Sequence, residues 1–451
     1  MPAGLASLPT ELLARVLGCL ELESRHRLAV VARRWQEAAN SPALLRCLAL
    51  RLFTCFEGDR ELSDWFLQRA AQHVQQLKIE VHAEEASTPP DEAQWEQQAE
   101  VWGLVQGMLM ACAGSGQLAG LHLELYTDSD CPFVLGAWFT ALSGSLRRLF
   151  VESWDGGPVV LTANLAHMAV LGDVRLVSTK SGIHIQPPCR LPARLTKLTL
   201  GGSESDSGAL APQIISLSRL AELALCRLAY TRDGYAPLQH LHALTRLHLH
   251  GCVHVPACLG QLGSLEELLV ESYGGEQLSS TAEDGATLSA ALGRLTCLTR
   301  LRLEGMPGLE APPATLTCLG CLRQLAWLQG ASPEPLPPGP WLRHLQLFAA
   351  WAPAVATSMP ALAEAAAALT ELEVAADAEG CEQAAAVVRW AGGRHGIRRL
   401  AVGLSDQARE APGSLPAALG EARAANPALI VVQRDLDLDA WSMPDLYPEL
   451  E

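Results

Sequence analysis

The sequence predicts an α/β solenoid in which repeats stack a parallel sheet along one face, with a small three-helix domain in front. Three observations predict it. One short apolar string recurs through most of the 451 residues. Segments rich in Ala, Glu, Gln and Leu, at 92–112, 360–368, 381–391 and 415–424, alternate with some of the strings and favour helical returns. The first 50 residues carry apolar stripes at helical spacing.

The recurring string reads apolar, two variable residues, apolar, one variable residue, apolar, as in Leu244-Thr-Arg-Leu247-His-Leu249. Thirteen copies begin at residues 74, 118, 146, 171, 195, 220, 244, 265, 298, 322, 342, 369 and 397. The twelve steps from 74 to 397 average about 27 residues. Successive side chains of a strand point to opposite faces, so the apolar positions should form a shared core and the variable ones an outer face.

This period and pattern resemble the leucine-rich repeat, whose length is roughly 20–29 residues. The resemblance implies an arc with the parallel sheet on its concave face and a convex side that mixes helical and irregular returns. The irregular return at 254–262 is similar to the plant-type repeat. We expect the arc over residues 74–434. Acidic insertions near 83–100 and 274–287, and an acidic tail at 435–451, should be mobile surface segments.

The eighth position after each start departs from the usual leucine-rich pattern. That position commonly holds Asn or Cys, and here only Cys252 fits well. The hydrogen-bonded ladder that asparagines build should therefore be missing or replaced, and the arc irregular. Tyr126, Trp154 and Tyr273 share the position. They form either an aromatic ligand box or, as we favour, a filling for the space of the absent ladder.

Charge and composition exclude several functional classes. The chain has 33 Lys and Arg against 49 Asp and Glu, a net charge of −16, which argues against nucleic-acid binding. No apolar run approaches the ~20 residues that a membrane helix needs, and Met1–Leu5 lacks the features of a signal peptide. We therefore expect cytoplasmic or nuclear localisation, with the 13 cysteines mostly acting as small apolar residues.

The first 50 residues predict three short helices. The first should start near Pro9 and present residues 12, 13, 16, 17 and 20 on one face. The second carries Leu28, Val31 and Trp35, and the third should start at Ser41-Pro42. Three helices of this length make a poor independent core, so a partner should cover part of their apolar surface.

These helices resemble an F-box over residues 5–50. The opening Leu8-Pro-Thr-Glu-Leu-Leu13 and the closing Val31-Ala-Arg-Arg-Trp35 carry the resemblance. The intervening loop departs from the family, because Glu21 stands for the usual Pro and Ser24-Arg25 for the usual Asp-Leu. The departure puts adaptor affinity in doubt.

The resemblance implies a partner and a role. An F-box binds a Skp-family adaptor, which links it to a cullin scaffold and a RING ubiquitin ligase, while the repeats hold a protein target. By this resemblance the adaptor-facing or adaptor-supporting residues are Leu8, Pro9, Leu12, Leu13, Val16, Leu20, Val31 and Trp35. The competing interpretation is that these stripes only pack on the first repeat.

The repeat period also predicts the target-binding residues. Positions +2, +4 and +6 after each start should face outward on the concave side, where mixed charge with a few exposed apolar side chains suits a protein partner. We predict contacts from Arg148, Phe150, Glu152, Arg246, His248, His250, Glu267, Leu269, Glu271, Arg300, Arg302, Glu304, His344 and Phe348.

Signals for metal, cofactor or catalysis are weak. His240, His242, His248, His250, Cys252, His254 and Cys258 are close in sequence, but neighbouring strand positions face opposite ways and should not converge on zinc. The Cys318–Cys321 pair has no second pair. Neither a phosphate-binding loop nor a nucleophile elbow occurs in the sequence. We expect no metal, no cofactor and no catalytic residues.

The sequence therefore predicts four segments: an F-box at 5–50, a helical linker or N-terminal cap at 51–73, the arc at 74–434 and the tail. The resemblance implies the substrate receptor of an SCF-type ubiquitin ligase, itself without catalysis. The alternative is a leucine-rich-repeat scaffold or sensor without a ubiquitin role.

Overall fold

A computed structural model of the chain shows a repeat architecture. It describes residues 38, 40–53, 58–82, 92–126, 133–154, 157–179, 182–186, 189–202, 212–228, 230–252, 254–271, 282–304, 319, 321–328, 343–348, 369–376, 381–404 and 412–435. Within these ranges, none of the helices has both the length and the apolar character that crossing a membrane requires. Two compact units make up the chain: Met1–Asp206 with Ala211–Leu220, and Ser207–Leu210 with Ala221–Glu451.

The first unit contains a parallel sheet and a smaller second sheet. The large-sheet strands are, in order of pairing, β1 (Cys47–Phe53), β2 (Gln76–His82), β3 (Gly120–Tyr126), β5 (Arg148–Trp154), β7 (Asp173–Ser178) and β9 (Lys197–Gly201). The second sheet pairs β4 (Phe133–Leu135), β6 (Val159–Leu161) and β8 (Ile183–Ile185), again in parallel. The helices are α1 (Pro42–Leu45), α2 (Gly58–Trp65) with a π-helical turn at Phe66–Ala70, α3 (Glu92–Ser115), and 3₁₀ turns at Ala137–Leu142, Leu165–His167 and Pro212–Ser216.

The second unit continues the same arrangement. Its described strands pair in chain order: β10 (Glu222–Cys226), β11 (Arg246–His250), β12 (Glu267–Glu271), β13 (Arg300–Glu304), β14 (Gln324–Leu328), β15 (His344–Phe348), β16 (Glu371–Ala376), β17 (Arg399–Leu404) and β18 (Ile430–Asp435). Its helices are α4 (Ala282–Leu292), α5 (Cys381–Gly392) and α6 (Leu415–Ala425), with 3₁₀ segments at Arg232–His240 and Leu259–Gln261.

The predicted repeat is confirmed by the placement of the strands. Each of the thirteen starts is followed two residues later by the first residue of a strand, from β2 after 74 to β17 after 397. Adjacent strands pair +2 with +2, as Arg246 pairs with Glu267 in the parallel register of β11 and β12. A slip of one residue would turn the apolar side chains outward, so the alternation itself holds this register.

The core lies between the sheet and the returns. Leu244, Leu247 and Leu249 of one repeat are completely buried, as are Leu265 and Leu268 of the next. Full burial of a leucine contributes about 1.5–3 kcal/mol, and the repeat that starts at 244 alone supplies three such positions. Stability is therefore distributed along the sheet, because each repeat buries its apolar face against its neighbours.

Both ends of the array extend beyond the predicted copies. Residues 51–73, predicted as a helical linker or cap, begin inside strand β1, which pairs with β2 over seven residues. A copy of the string, Leu45-Arg-Cys-Leu48-Ala-Leu50, begins two residues before this strand, where the sequence predicts the third helix of the F-box. That helix is a single turn with Pro42 at its start, since the alternating burial of residues 47–53 commits them to the sheet. The predicted tail begins at Asp435, the last residue of β18.

The two acidic insertions also contain helix. Residues 92–100 of the first belong to α3, and residues 282–287 of the second belong to α4. Asp284 anchors α4 because its buried carboxylate accepts from Arg232 Nε at 3.0 Å and from the Val255 N–H at 3.3 Å. The ion pair between the buried Asp284 and the partly exposed Arg232 ties residues 282–287 to the repeats, so the prediction of a mobile segment is wrong for this part of the second insertion. For the first insertion, mobility stays a prediction.

Threonine hydroxyls supply a hydrogen-bonded ladder in place of the missing asparagines. At position +1 of four repeats, a threonine Oγ1 donates to the +1 carbonyl of the preceding repeat. The pairs are Thr196 to Gly172 (3.0 Å), Thr245 to Ala221 (3.1 Å), Thr299 to Glu266 (3.0 Å) and Thr370 to Arg343 (3.2 Å). Cys252, the one usual residue at +8, donates its thiol to Leu225 O at 3.4 Å. The expected replacement of the asparagine ladder thus occurs partly at the opposite end of the strand.

Candidate functional site

The candidate site is the sheet face that carries positions +2, +4, +6 and +8, which we call the variable face. Because equal positions of neighbouring repeats pair in register, each position forms a row that runs across the strands. A row can therefore be examined as one surface element, and the rows differ strongly in exposure.

The +2 row of the second unit is a solvent-exposed ladder of alternating charge. Arg246 Nη1 lies 3.1 Å from Glu222 Oε2, and the two arginines Arg246 and Arg300 are 55% and 57% exposed. Arg300 pairs with Glu267 on the neighbouring strand at 3.5 Å. Exposed pairs of this kind contribute about 0–1 kcal/mol, so they stabilise the sheet little and leave the charges accessible to a partner.

Two predicted contacts in the +6 row of the same unit, His250 and Glu271, are buried, which corrects part of the prediction. His250 and Glu271 are 5% and 4% exposed, and His250 Nδ1 lies 2.5 Å from Glu271 Oε2. Arg302, at position +4 of the next strand, approaches the other oxygen of Glu271 at 3.1 Å. These side chains were predicted as outward contacts, but pairing across strands about 4.8 Å apart encloses them.

Two predicted apolar anchors are also buried. Phe150 and Leu269, both at position +4, are 9% and 6% exposed. The expectation of exposed apolar side chains at these positions is wrong. Arg148, His248 and Glu267 remain half-buried. Their role in target binding stays a prediction.

The first unit carries a cluster of charged side chains on the variable face. Lys78 Nζ lies 2.8 Å from Glu124 Oε1 and 3.1 Å from Glu80 Oε1, and Arg51 donates to the other oxygen of Glu80 at 2.8 Å. Burial alone would raise the pKa of Glu80, but the hydrogen bonds from Arg51 and Lys78 outweigh it and hold that pKa below its ordinary value. Cations and carboxylates thus alternate across three neighbouring strands.

The part of this cluster on β5 and β7 is the most buried. Glu152 is 1% exposed and its Oε1 lies 2.9 Å from Arg175 Nε. Burial raises the pKa of Glu152, and Arg175 only partly opposes it. Burial also lowers the pKa of His122 to about 4, against the opposing charge of Glu124. At neutral pH His122 is therefore uncharged.

Three of these side chains have the spacing of metal ligands. Ligand atoms of His122, Glu124 and Glu152 all lie within 4.8 Å of one another. However, Lys78 already pairs with Glu124, and Arg175 with Glu152. A cation would have to displace or approach these two positive charges, so the donor set fits an internal ion-pair cluster better than a metal centre.

The histidine- and cysteine-rich segment 240–258 is divided among different partners. His250 contacts Glu271, His254 Nδ1 lies 3.3 Å from Asp284 Oδ2, and Cys258 donates to Tyr235 O at 3.4 Å. These described side chains therefore contact separate neighbours.

A row of stacked rings lies at position +8 of the first unit, and we call it the aromatic row. The Phe53 and His82 rings stack at 5.3 Å, His82 and Tyr126 at 4.6 Å with an interplanar angle of 5°, and Tyr126 and Trp154 at 6.5 Å with an angle of 10°. Phe53 is 41% exposed, and the other three rings are half-buried. The rings occupy one another's faces, so their edges and the outer members remain for a partner.

The aromatic row is joined to the charged cluster. Tyr126 donates its hydroxyl to Glu124 Oε2 at 3.2 Å, and burial together with Glu124 raises the pKa of Tyr126 to about 12. Tyr126 and Trp154 were predicted to share this position, whereas Phe53 and His82 were not. The repeat pattern contains a signal for both residues, because each lies at position +8 of a repeat. His82 is counted from the start at 74, and Phe53 from a start at 45 that was not among the thirteen predicted. The stack supports the space-filling interpretation for Tyr126 and Trp154, because the rings fill positions between strands.

Several predicted residues fall outside the described part of the chain. All eight adaptor residues, Leu8, Pro9, Leu12, Leu13, Val16, Leu20, Val31 and Trp35, lie outside it. Glu304, His344 and Phe348 are placed in their strands by backbone register alone. Their side chains lie outside the described part.

Comparison with known proteins identifies the N-terminal segment. The family model described as F-box-like matches residues 5–51. Among solved structures, the chain is similar to an internalin from Listeria monocytogenes, with 12% identity and a TM-score of 0.38 over 71% of this chain and 82% of that one. A search of the curated proteins finds no match.

The fold and the match define a class of protein. The chain combines a leucine-rich-repeat solenoid with an F-box-like segment at its N-terminus. The resemblance to F-box/leucine-rich-repeat proteins predicted from the sequence is thereby confirmed.

Proposed function

We propose that this chain is the substrate-recognition subunit of an SCF-type ubiquitin ligase. In this proposal the F-box-like segment docks on a Skp-family adaptor, which connects it to a cullin–RING ligase. The variable face holds a target protein. The chain itself performs no catalysis and acts in the cytoplasm or nucleus.

The observation that carries the proposal is the position of the F-box-like match. It ends at residue 51, within strand β1, whose seven residues pair in register with β2. The match therefore runs directly into the repeat sheet without an intervening linker. A ligase receptor has to hold its target at a defined distance from the transferring enzyme, and a continuous connection of this kind suits positioning.

The variable face supports the target-binding half of the proposal. Its +2 row offers accessible charges for steering an approaching partner, such as Arg246 and Arg300. Its aromatic row offers large apolar rings next to carboxylates, with Phe53 41% exposed. Aromatic side chains and arginines are the residues most often found at energetically important interface positions.

Adaptor binding tests the proposal. We expect the wild-type chain to co-purify with a Skp-family adaptor, and the Leu8→Ala/Pro9→Ala variant to lose it. Arg15→Ala is the matched control, because Arg15 lies in the same predicted helix but outside the apolar stripe. Thermal unfolding of all three chains establishes that the repeat sheet is intact in each.

A folded wild-type chain that does not bind the adaptor would overturn the ligase proposal. The repeats would then belong to a scaffold or sensor, and Glu21, Ser24 and Arg25 would be the first positions to restore to the family pattern. Equal binding by the wild type and the double variant would also contradict the assigned docking residues.

A further inference from the structure

Two exposed cysteines occupy the same position in adjacent repeats. Cys297 and Cys321 each lie one residue before the start of a repeat, at Leu298 and Leu322, and both thiols are exposed and unbonded to another cysteine. The offset of 24 residues that relates Arg300 to its strand partner Gln324 also relates Cys297 to Cys321. The two cysteines are therefore in register across neighbouring repeats.

Backbone hydrogen bonds hold the two turns in the same conformation and side by side. The Leu298 N–H donates to Leu295 O at 3.1 Å, and the Leu322 N–H donates to Leu319 O at 3.1 Å. Two residues beyond the cysteines, the Arg323 N–H donates to Thr299 O at 2.8 Å. Neighbouring strands lie about 4.8 Å apart, and disulfides form between Cα atoms roughly 4.4–6.8 Å apart.

Exposure and the residue in register distinguish Cys297 and Cys321 from the other cysteines in the described part of the chain. Burial raises the pKa of the Cys112 thiol to about 12 and that of Cys189 to about 11, which suppresses the reactive thiolate. Cys47 is exposed like the pair, but its register partner in β2 is Gln76. Exposure and a partner cysteine in register thus coincide at Cys297 and Cys321.

We propose that Cys297 and Cys321 form an oxidant-dependent disulfide that bridges the repeats of β13 and β14. With hydrogen peroxide as the oxidant, one thiol loses its proton, and the resulting thiolate attacks the peroxide and becomes a sulfenic acid. The hydroxide that leaves takes up that proton and becomes water. The second thiol then attacks that sulfur, forming the S–S bond and releasing water. The two thiols together lose two electrons, and the peroxide is reduced to two molecules of water. The modification is independent of the adaptor.

Peptide mapping of the full chain tests this site. The reduced protein is treated at low concentration with hydrogen peroxide, free thiols are alkylated, and the chain is digested with trypsin. Trypsin places Cys297 in peptide 295–300 and Cys321 in peptide 303–323, which also contains Cys318. We expect the two peptides to become linked on oxidation and to separate again on treatment with dithiothreitol.

Variants assign the link to single cysteines. Cys297→Ser and Cys321→Ser should each abolish the linked peptides, whereas Cys318→Ser should retain them. Cys47, read in the same digests, should appear as an unlinked oxidised or alkylated thiol. A link that depends on Cys318, or a Cys297 that is only oxidised without linkage, would overturn the proposal. Should a serine variant fail to fold, fragmentation of the linked wild-type peptides still decides which cysteines are joined.

Discussion

Exposure of a residue on the variable face depends on its position along the strand. Position +2 lies near the strand start, where Arg246 and Arg300 reach solvent. Position +6 is enclosed, as Glu152 and Glu271 show. Sequence periodicity assigns all these positions to one face but cannot rank them by depth, because depth depends on which long side chains pair across adjacent strands. The face on which each side chain lies could be predicted from the sequence. The burial of the +6 carboxylates in ion pairs with neighbouring strands could not.

His122 should make the stability of the chain depend on pH. Its folded pKa of about 4 lies below the ordinary value of 6.5, so between these pH values the unfolded chain binds a proton that the folded chain does not. The stability associated with neutral His122 is complete above pH 6.5 and decreases as the pH falls toward 4. Urea unfolding at pH 7 and pH 5 should show a smaller loss of stability in His122→Gln than in the wild type.

The raised pKa of Glu152 acts in the opposite direction, since acid favours its protonated folded form. The difference between wild type and His122→Gln isolates the histidine from this contribution. An NMR titration in which the His122 ring protonates near pH 6.5 in the folded chain would contradict the prediction.

At the scale of elements, the returns differ between the two units. The first unit has 3₁₀ turns and a second parallel sheet, and its longest described helix, α3, begins in the first insertion and continues through the helical return that the composition of residues 92–112 predicted. Near the C-terminus, the alanine-rich helices α5 and α6 pack closely, with Gly392 of α5 against Ala422 of α6. The composition of residues 381–391 and 415–424 predicted these helices, because Ala and Leu favour helix strongly. The strands β4, β6 and β8 were not predicted, because a strand of three residues is too short to show a periodic pattern.

Gly392→Ala should destabilise the chain at the contact between α5 and α6. A Cβ at Gly392 would overlap the Cα of Ala422, which is backbone and cannot move away cheaply. Overpacking of this kind costs about 1–3 kcal/mol. Chemical denaturation monitored by circular dichroism measures the loss.

Gly420→Ala is the matched control on the partner helix. Its Cβ would meet nothing within 4 Å, so the lower backbone entropy of alanine should raise stability by about 0.5–1 kcal/mol. If Gly392→Ala were equally harmless, the close approach of the two helices would be incorrect.

At the scale of the whole molecule, adaptor binding and target binding are assigned to different parts of one chain. The F-box-like match ends within β1, and Phe53, the last residue of that strand, opens the aromatic row. Under the proposed function, adaptor binding and target binding use different residues of the chain. Variants should separate them.

Tyr126→Ala should reduce target capture while leaving adaptor binding intact. Removal of the ring breaks the aromatic row between His82 and Trp154 and frees Glu124 from its phenol. An interface residue of this type contributes about 1–2 kcal/mol, which corresponds to roughly tenfold in affinity. Quantitative mass spectrometry of captured proteins under proteasome inhibition, normalised to co-purified adaptor, measures the effect.

His184→Ala provides the comparison for this experiment, because His184 is exposed on β8 in the smaller sheet. Its captured proteins should match those of the wild type. Unchanged capture by Tyr126→Ala would remove the aromatic row from the proposed target surface.

The sequence by itself determined the repeat, its register and the F-box resemblance, because strand alternation and helical spacing are local patterns that apolar burial enforces. Thirteen strand starts follow from it directly. Only the tertiary structure decided that residues 47–53 open the sheet, that Phe53 and His82 extend the stack of Tyr126 and Trp154, and that β13 pairs with β14 in the register that gives Cys297 and Cys321 equal positions. These features join residues 24–44 positions apart, and their contacts depend on how returns of unequal length bring equal repeat positions side by side.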